Sequence, residues 1–190
     1  TKVESGLYQS CALDRGRLKC WGSNDFGQLD IPSLGTIQDF DVGVAVVCAI
    51  DQFGAKCWGE NGVGQSSVPE LPSPVDIENY DGHTCAVDQS LGVVCWGQND
   101  RGQADVPALF NPSEVVTGAF HSCAVDTVNE KERVVCWGDN TSAQTAAPAA
   151  LRLPRVAEPL AGGGRSGFGR SPGLGGRICT DNIKPGDRDG

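Results

Sequence analysis

Four copies of the tripeptide Cys-Trp-Gly punctuate this chain of 190 residues, at Cys20, Cys57, Cys95 and Cys136, and they hold all four tryptophans. Each is preceded by a second cysteine inside Cys-Ala-(Leu/Ile/Val)-Asp, beginning at Cys11, Cys48, Cys85 and Cys123. Each is followed by an Asn and then a Gln: Asn24 and Gln28, Asn61 and Gln65, Asn99 and Gln103, Asn140 and Gln144. The leading cysteines lie 37, 37 and 38 residues apart. A period of that length signals a repeat architecture, in which each copy buries its apolar face only by stacking on a neighbour. The copies span about residues 1–36, 37–74, 75–111 and 112–148. The chain starts inside the first copy, which reads as a processed or partial product.

Each copy predicts a β-hairpin. Cys11–Asp14 and Arg17–Cys20 flank Arg15-Gly16, a two-residue turn with glycine. Counting outward places Cys11 opposite Cys20 and, around Gln52-Phe53, Cys48 opposite Cys57, although Gly54 can shift that turn. A three-residue loop, Gln89-Ser90-Leu91, keeps Cys85 opposite Cys95. The fourth copy has a longer charged loop, Thr127 to Arg133, and still aligns Cys123 with Cys136. Facing residues on antiparallel strands are close enough for a disulfide. Four facing pairs therefore predict the bridges Cys11–Cys20, Cys48–Cys57, Cys85–Cys95 and Cys123–Cys136, and an oxidising compartment (extracellular, periplasmic or lumenal). The alternative is reduced cysteine packed as a small hydrophobe.

Alternation along a strand puts Trp21, Trp58, Trp96 and Trp137 on the face opposite their neighbouring cysteines. There they are expected to pack one repeat against the next. The glycine after each ends the strand. The Asn-to-Gln stretch reads as a loop in which Gln bonds backbone. Asp14, Asp51, Asp88 and Asp126 stand at hairpin starts, where Asp caps turns. Gln9, Val46, His83 and His121 occupy one equivalent position. A histidine present in two copies of four reads as a polar tie to a neighbouring backbone rather than a catalyst.

After about residue 148 the pattern stops. Residues 149–190 are rich in Gly, Pro and Arg and predict an extended or flexible tail that cannot bury a core of its own. Cys179, left over from the pairs, reads as an intermolecular bridge or a free thiol. Residues 146–190 carry a net charge of +3 and the whole chain −9, which leaves −12 on residues 1–145. A repeat region that acidic repels phosphate and argues against nucleic acid as a partner. No long apolar run suggests membrane insertion.

The pattern Cys-Ala-(Leu/Val)-Asp … Cys-Trp-Gly-x-Asn-x-x-Gly-Gln, with Gly118-Ala119-Phe120-His121 leading into one copy, resembles the regulator of chromosome condensation repeat over residues 3 to about 148. The resemblance implies an all-β, β-propeller-type fold in which each repeat gives about one four-stranded blade. Ala143 departs from it by replacing the glycine of Gly27, Gly64 and Gly102, and the second copy lacks the Gly-x-x-His lead-in. The paired cysteines are similar to the secreted or bacterial-type branch of these repeats. The family usually closes a ring of seven blades. Four repeats imply an open arc or part of a larger propeller, with a closed four-bladed ring as the other outcome.

No phosphate loop, nucleophile elbow or zinc spacing is present, so no catalytic residue, cofactor or metal is expected. Asn140-Thr141-Ser142 is a candidate glycosylation acceptor. The expected function is a non-catalytic protein–protein interaction or scaffold module within a larger assembly, its protein partner unnamed. Two alternatives are weighed: a nucleotide-exchange factor for a small GTPase, and a secreted inhibitor of the β-lactamase type. The acidic charge and paired cysteines speak against the first, and no loop residue singles out the second.

Overall fold

A computed structural model describes residues 2–148. The expected tail, 149–190, and Cys179 lie outside the described residues.

Among the described residues the regular elements are twelve β-strands. They form four three-stranded antiparallel sheets, one per repeat, each in sequence order. The first sheet holds β1 (Val3–Ser5), β2 (Gln9–Asp14) and β3 (Arg17–Gly22). The second holds β4 (Ile37–Val42), β5 (Val46–Asp51) and β6 (Gly54–Gly59). The third holds β7 (Pro74–Asn79), β8 (His83–Asp88) and β9 (Gly92–Gly97). The fourth holds β10 (Pro112–Thr117), β11 (His121–Val128) and β12 (Lys131–Gly138).

These sheets are propeller-type blades with three strands, not the four that the resemblance implies. The reason lies in the Asn-to-Gln segment. Asn24 Oδ1 accepts from the Leu29 amide at 2.7 Å, and Gln28 Oε1 accepts from the Phe26 amide at 2.9 Å. Pro32 has no N–H to give. The segment's donors are satisfied locally, so no fourth ladder forms there.

The register of every hairpin sets cysteine against cysteine: Cys11 with Cys20, Cys48 with Cys57, Cys85 with Cys95 and Cys123 with Cys136. All four pairs are disulfides, with Cα separations of 4.1, 4.1, 4.1 and 4.0 Å. The fourth hairpin corrects the sequence reading. In place of a long loop, Thr127 pairs with Glu132 and Val128 with Lys131. The turn is Asn129-Glu130, both at positive φ (50° and 62°), which suits the tight turn that extends a right-twisted hairpin.

The core lies between sheets rather than within one. One buried cluster joins Cys11 and Leu18 of the first sheet to Phe40, Val47 and Trp58 of the second. A second joins Cys48 and Ile50 to Ile77 and Trp96. A third joins Cys85 and Val87 to Val115 and Trp137. No such cluster joins the fourth sheet to the first among the described residues, so these four sheets form an open stack. Each blade therefore has a forward face, bearing its cysteines, and a back face, bearing its tryptophan.

Candidate interaction surfaces

The junction between sheets is the same construction three times over. The indole Nε1 of Trp58 donates to the Gln28 carbonyl at 3.0 Å, Trp96 to Gln65 at 3.0 Å, and Trp137 to Gln103 at 2.9 Å. Each tryptophan thus docks on the loop of the preceding repeat, the reverse of the expected direction. The Gln side chain holds that loop in shape, since its Oε1 accepts an amide two residues earlier in all four copies. Thr84 and Ser122 add hydroxyl bonds to the Gln65 and Gln103 carbonyls.

Trp21 departs from the expected inter-blade packing. It is 53% exposed, whereas Trp58, Trp96 and Trp137 are buried. Among the described residues no loop of a preceding repeat lies against its indole.

At the equivalent position, Gln9 and His83 also tie repeats together. Gln9 Nε2 donates to the Gly43 carbonyl at 2.9 Å, and Val46 offers no such bond. His83 Nε2 lies 2.8 Å from Ser122 Oγ, a pairing the sequence did not suggest. Ser122 Oγ donates onward to the Gln103 carbonyl, so the imidazole is the donor to Ser122. Burial, with His121 as a lesser influence, pulls the His83 pKa down to about 4. Both His83 and Ser122 are fully buried. The pair is a neutral clamp between repeats, sealed from any substrate.

The hairpin Asp residues do more than cap their turns. Asp51 accepts from the Gly35 and Phe53 amides and pairs with Lys56. Asp88 accepts from the Ser73, Ser90 and Leu91 amides. Asp126 accepts from Phe110 and Asn111 and takes a two-pronged contact from Arg133. Each fastens the incoming loop to the hairpin end. Among the described residues Asp14 pairs only with Lys19 and, more distantly, Arg15.

Beside these hairpin ends stand the two most exposed aromatics among the described residues, Phe53 at 76% and Phe110 at 75%. The Lys56 ammonium lies 5.8 Å from the Phe53 ring centre, and the Arg133 guanidinium 5.8 Å from that of Phe110. Because the repeats stack in register, the two aromatics and exposed Leu91 share one face of the array. An exposed ring capped by a cation is the chemistry that protein interfaces favour.

A second surface lies along the first strands, β1, β4, β7 and β10, which neighbour one another. Lys2 reaches Asp39 at 2.8 Å and the Phe40 carbonyl at 2.7 Å. Asp41 accepts from the Asn79 amide at 2.7 Å, and Asp76 from the Val115 amide at 2.8 Å. Glu78 accepts no hydrogen bond among the described residues. Loss of water around Asp41, Asp76 and Glu78, with nearby carboxylates adding to it, raises all three pKa values, that of Asp76 to about 6. Among the described residues no group of three such side chains is arranged to hold a metal ion.

These carboxylates have a consequence for stability. Their folded pKa values exceed their unfolded ones, so the folded state binds their protons more tightly. The stability this contributes is complete below about pH 4 and is lost as pH rises through the folded values. Asp51 and Asp126 work in the opposite sense. Burial would raise them, but the amide and cation contacts outweigh it and hold both low. Their contribution is lost only as pH falls through those lowered values. Melting at about pH 5.5 and 8 should therefore show a midpoint about 2–8 °C lower at the higher pH, equivalent to about 1–2 kcal/mol. Glu78→Gln should flatten that difference, and a midpoint that rises toward pH 8 would contradict the assignment.

Among the described residues no helix is long and apolar enough to cross a membrane. No family model matches the chain, and no curated protein matches it by sequence. Solved structures do match its fold. The ectodomain of the receptor kinase CR4 from Physcomitrella patens aligns at 24% identity and a TM-score of 0.58, over 74% of this chain and 42% of that one. The CRINKLY WD40 ectodomain of the Arabidopsis thaliana receptor kinase ACR4 aligns at 24% identity and 0.59, over 72% and 49%. Yeast RCC1 (Prp20), solved with Kap60, aligns at 15% identity and 0.59, over 73% and 43%. The chain thus spans under half the length of each, and what it shares with them is the all-β propeller-type fold.

Proposed function

We propose that this chain is a non-catalytic protein-interaction module, built from repeats of the regulator of chromosome condensation type and working in an oxidising compartment outside the cytosol. The observation that carries it is the cation-capped pair Phe53 and Phe110, held out to solvent on one face by Asp51 and Asp126. Isolated surface hydrophobics are ordinary. Two aromatics, one in a hairpin turn and one in an incoming loop fastened to a hairpin end, each under its own cation, match the aromatic and Arg anchors that dominate interface energetics. The repeat assignment rests on the four copies in register. The compartment rests on four disulfides that recur in every repeat. Two of the propellers sharing the fold are receptor ectodomains, which is consistent with it.

A photoreactive phenylalanine placed at position 53 or 110, and at Val63 in the Asn-to-Gln loop at the other end of the strands, tests the reading. A protein adduct of one common mass from positions 53 and 110, absent from 63, is expected. No adduct from position 53 or 110, or equal labelling from Val63, would overturn it.

In the same compartment Asn140 is the one repeat Asn suited to carry a glycan. Asn24, Asn61 and Asn99 spend their amide Nδ2 on Asp30, Ser67 and Asp105. Asn140 has Ala146 at that offset and is exposed. Secretion from a eukaryotic host should yield a glycosidase-sensitive mass increment that Ser142→Ala removes. An unmodified secreted chain would refute it.

A further inference from the structure

The outer edge of the third sheet is shaped to take one more strand. Cys85 and Cys95 face each other at a Cα separation of 4.1 Å, the close spacing of a pair that shares no backbone hydrogen bonds. In that register Val94 and Trp96 turn their amides and carbonyls toward Ala86 and Thr84 of β8. Those of Val93 and Cys95 point the other way, off the sheet. β9 is an edge strand, and among the described residues no backbone group bonds them. Backbone groups buried without a partner are rare, so these face water. The third repeat packs between the second and the fourth, so further repeats at either end of the stack would leave this edge where it is. Charge sets β9 apart as well. Strand edges are commonly guarded by charged side chains, lysine above all. β3 carries Arg17 and Lys19, β6 carries Lys56, and β12 carries Lys131, Glu132 and Arg133. β9, which reads Gly92-Val93-Val94-Cys95-Trp96-Gly97, carries none.

We infer that β9 pairs antiparallel with β9 of a second copy of this chain, joining two three-stranded sheets into one about a twofold axis at Val94. The register is self-complementary. Val93 faces Cys95 of the other copy and Cys95 faces its Val93, so each pair exchanges backbone hydrogen bonds in both directions. Val94 meets Val94 on the axis, in the close pairing where side chains touch. At that position β3 and β6 hold Lys19 and Lys56, and two ammonium groups set head to head would oppose the same pairing there. β12 holds Val135 at that position and is guarded by the charges toward its hairpin turn. The contact is isologous, so it closes with two molecules. Val93 to Cys95 alone bury far less than a standard interface, so association is weak and depends on concentration. It adds a self-contact to the interaction-module reading and uses neither Phe53 nor Phe110.

Sedimentation equilibrium of the full chain, with Cys179→Ser to remove any intermolecular bridge, tests this up to about 100 µM. A species of twice the chain mass is expected. Val94→Lys, which copies Lys19 and Lys56, should run as a monomer with unchanged circular dichroism. Val94 is half-buried, so a second variant reads the contact without removing it. Val94→Cys should form an intermolecular disulfide through position 94 of both copies, and Val75→Cys, at an exposed position on β7, should not. Amide exchange at Val93 and Cys95 should be fast in the dilute chain and slow at the higher concentration. A chain that stays monomeric throughout, or a dimer that survives Val94→Lys, would overturn the inference. So would slow exchange at both amides in the dilute chain, which would show the edge covered by other residues of the same molecule. A monomer that still gives the common adduct through positions 53 and 110 would remove the self-contact and leave the interaction module standing.

Discussion

In reducing buffer at neutral pH, residues 2–148 should lose their cooperative melting transition and their β-type circular dichroism. The four disulfides close short loops, with partners 9, 9, 10 and 13 residues apart. Loop-closure entropy assigns each about 2.5–3 kcal/mol. Together they approach about 10 kcal/mol, which is the whole stability of an ordinary domain. Sheets of three short strands with cores only between them have little else to draw on. Removing one bridge should show which contribution dominates. Loop length separates the Cys123–Cys136 pair from Cys48–Cys57 by only about 0.3 kcal/mol. Burial separates them further, because Cys48 is fully buried in an inter-sheet cluster and Cys123 is not. The Cys48→Ala/Cys57→Ala pair should therefore cost more in urea unfolding than Cys123→Ala/Cys136→Ala. Full retention of the melting transition under reduction would contradict the account.

Gly97→Ala should be among the most damaging single substitutions, costing more than about 3 kcal/mol in the same assay. Gly97 has φ +96°, a region that side chains rarely adopt. A Cβ there would stand 2.5 Å from the Gly82 carbonyl oxygen, 3.0 Å from Gln65 Cα and 3.1 Å from His83 Cα. Backbone crowds it on three sides and cannot swing away. The control is Gly92→Ala in the third hairpin, with φ +80° but nothing nearer than Pro112 at 3.8 Å. It should cost only the conformational part, about 1 kcal/mol. Equal losses at the two sites would show that crowding plays no part. The glycine of Cys-Trp-Gly is thus required by the neighbouring backbone of its own repeat and, in the last three copies, by the Gln of the preceding one, as well as by the end of its strand.

Much of this was legible in the residues. The facing cysteines follow from counting outward from Arg15-Gly16, and the Trp face follows from strand alternation. The Asn and Gln of each loop recur because their side chains complete its backbone hydrogen bonds. Other features depended on contacts that one repeat cannot show. The direction of Trp docking needs the neighbouring loop in place, and the exposure of Trp21 follows once that direction is known. The His83–Ser122 clamp joins residues 39 apart. The charge of Thr127–Arg133 reads as a loop in the sequence, yet Asn129-Glu130 takes the left-handed turn that extends the fourth hairpin. The carboxylate column has a signal in the repeat spacing. Glu4, Asp41 and Glu78 all stand seven residues before a leading cysteine, and Asp39, Asp76 and Glu114 nine before. A shared charge at one repeat position marks a shared strand face, here the one running along β1, β4, β7 and β10.

The central claim is that each repeat is held by its tryptophan docking on the loop before it. Urea unfolding of Trp96→Ala beside Trp21→Ala, at about 1 µM so that molecules do not associate, tests it most directly. Trp96 is buried and bonded to Gln65, so its loss should cost about 3–5 kcal/mol. Trp21 is exposed, so its loss should cost under about 1 kcal/mol. Equal destabilisation by the two variants would contradict the account.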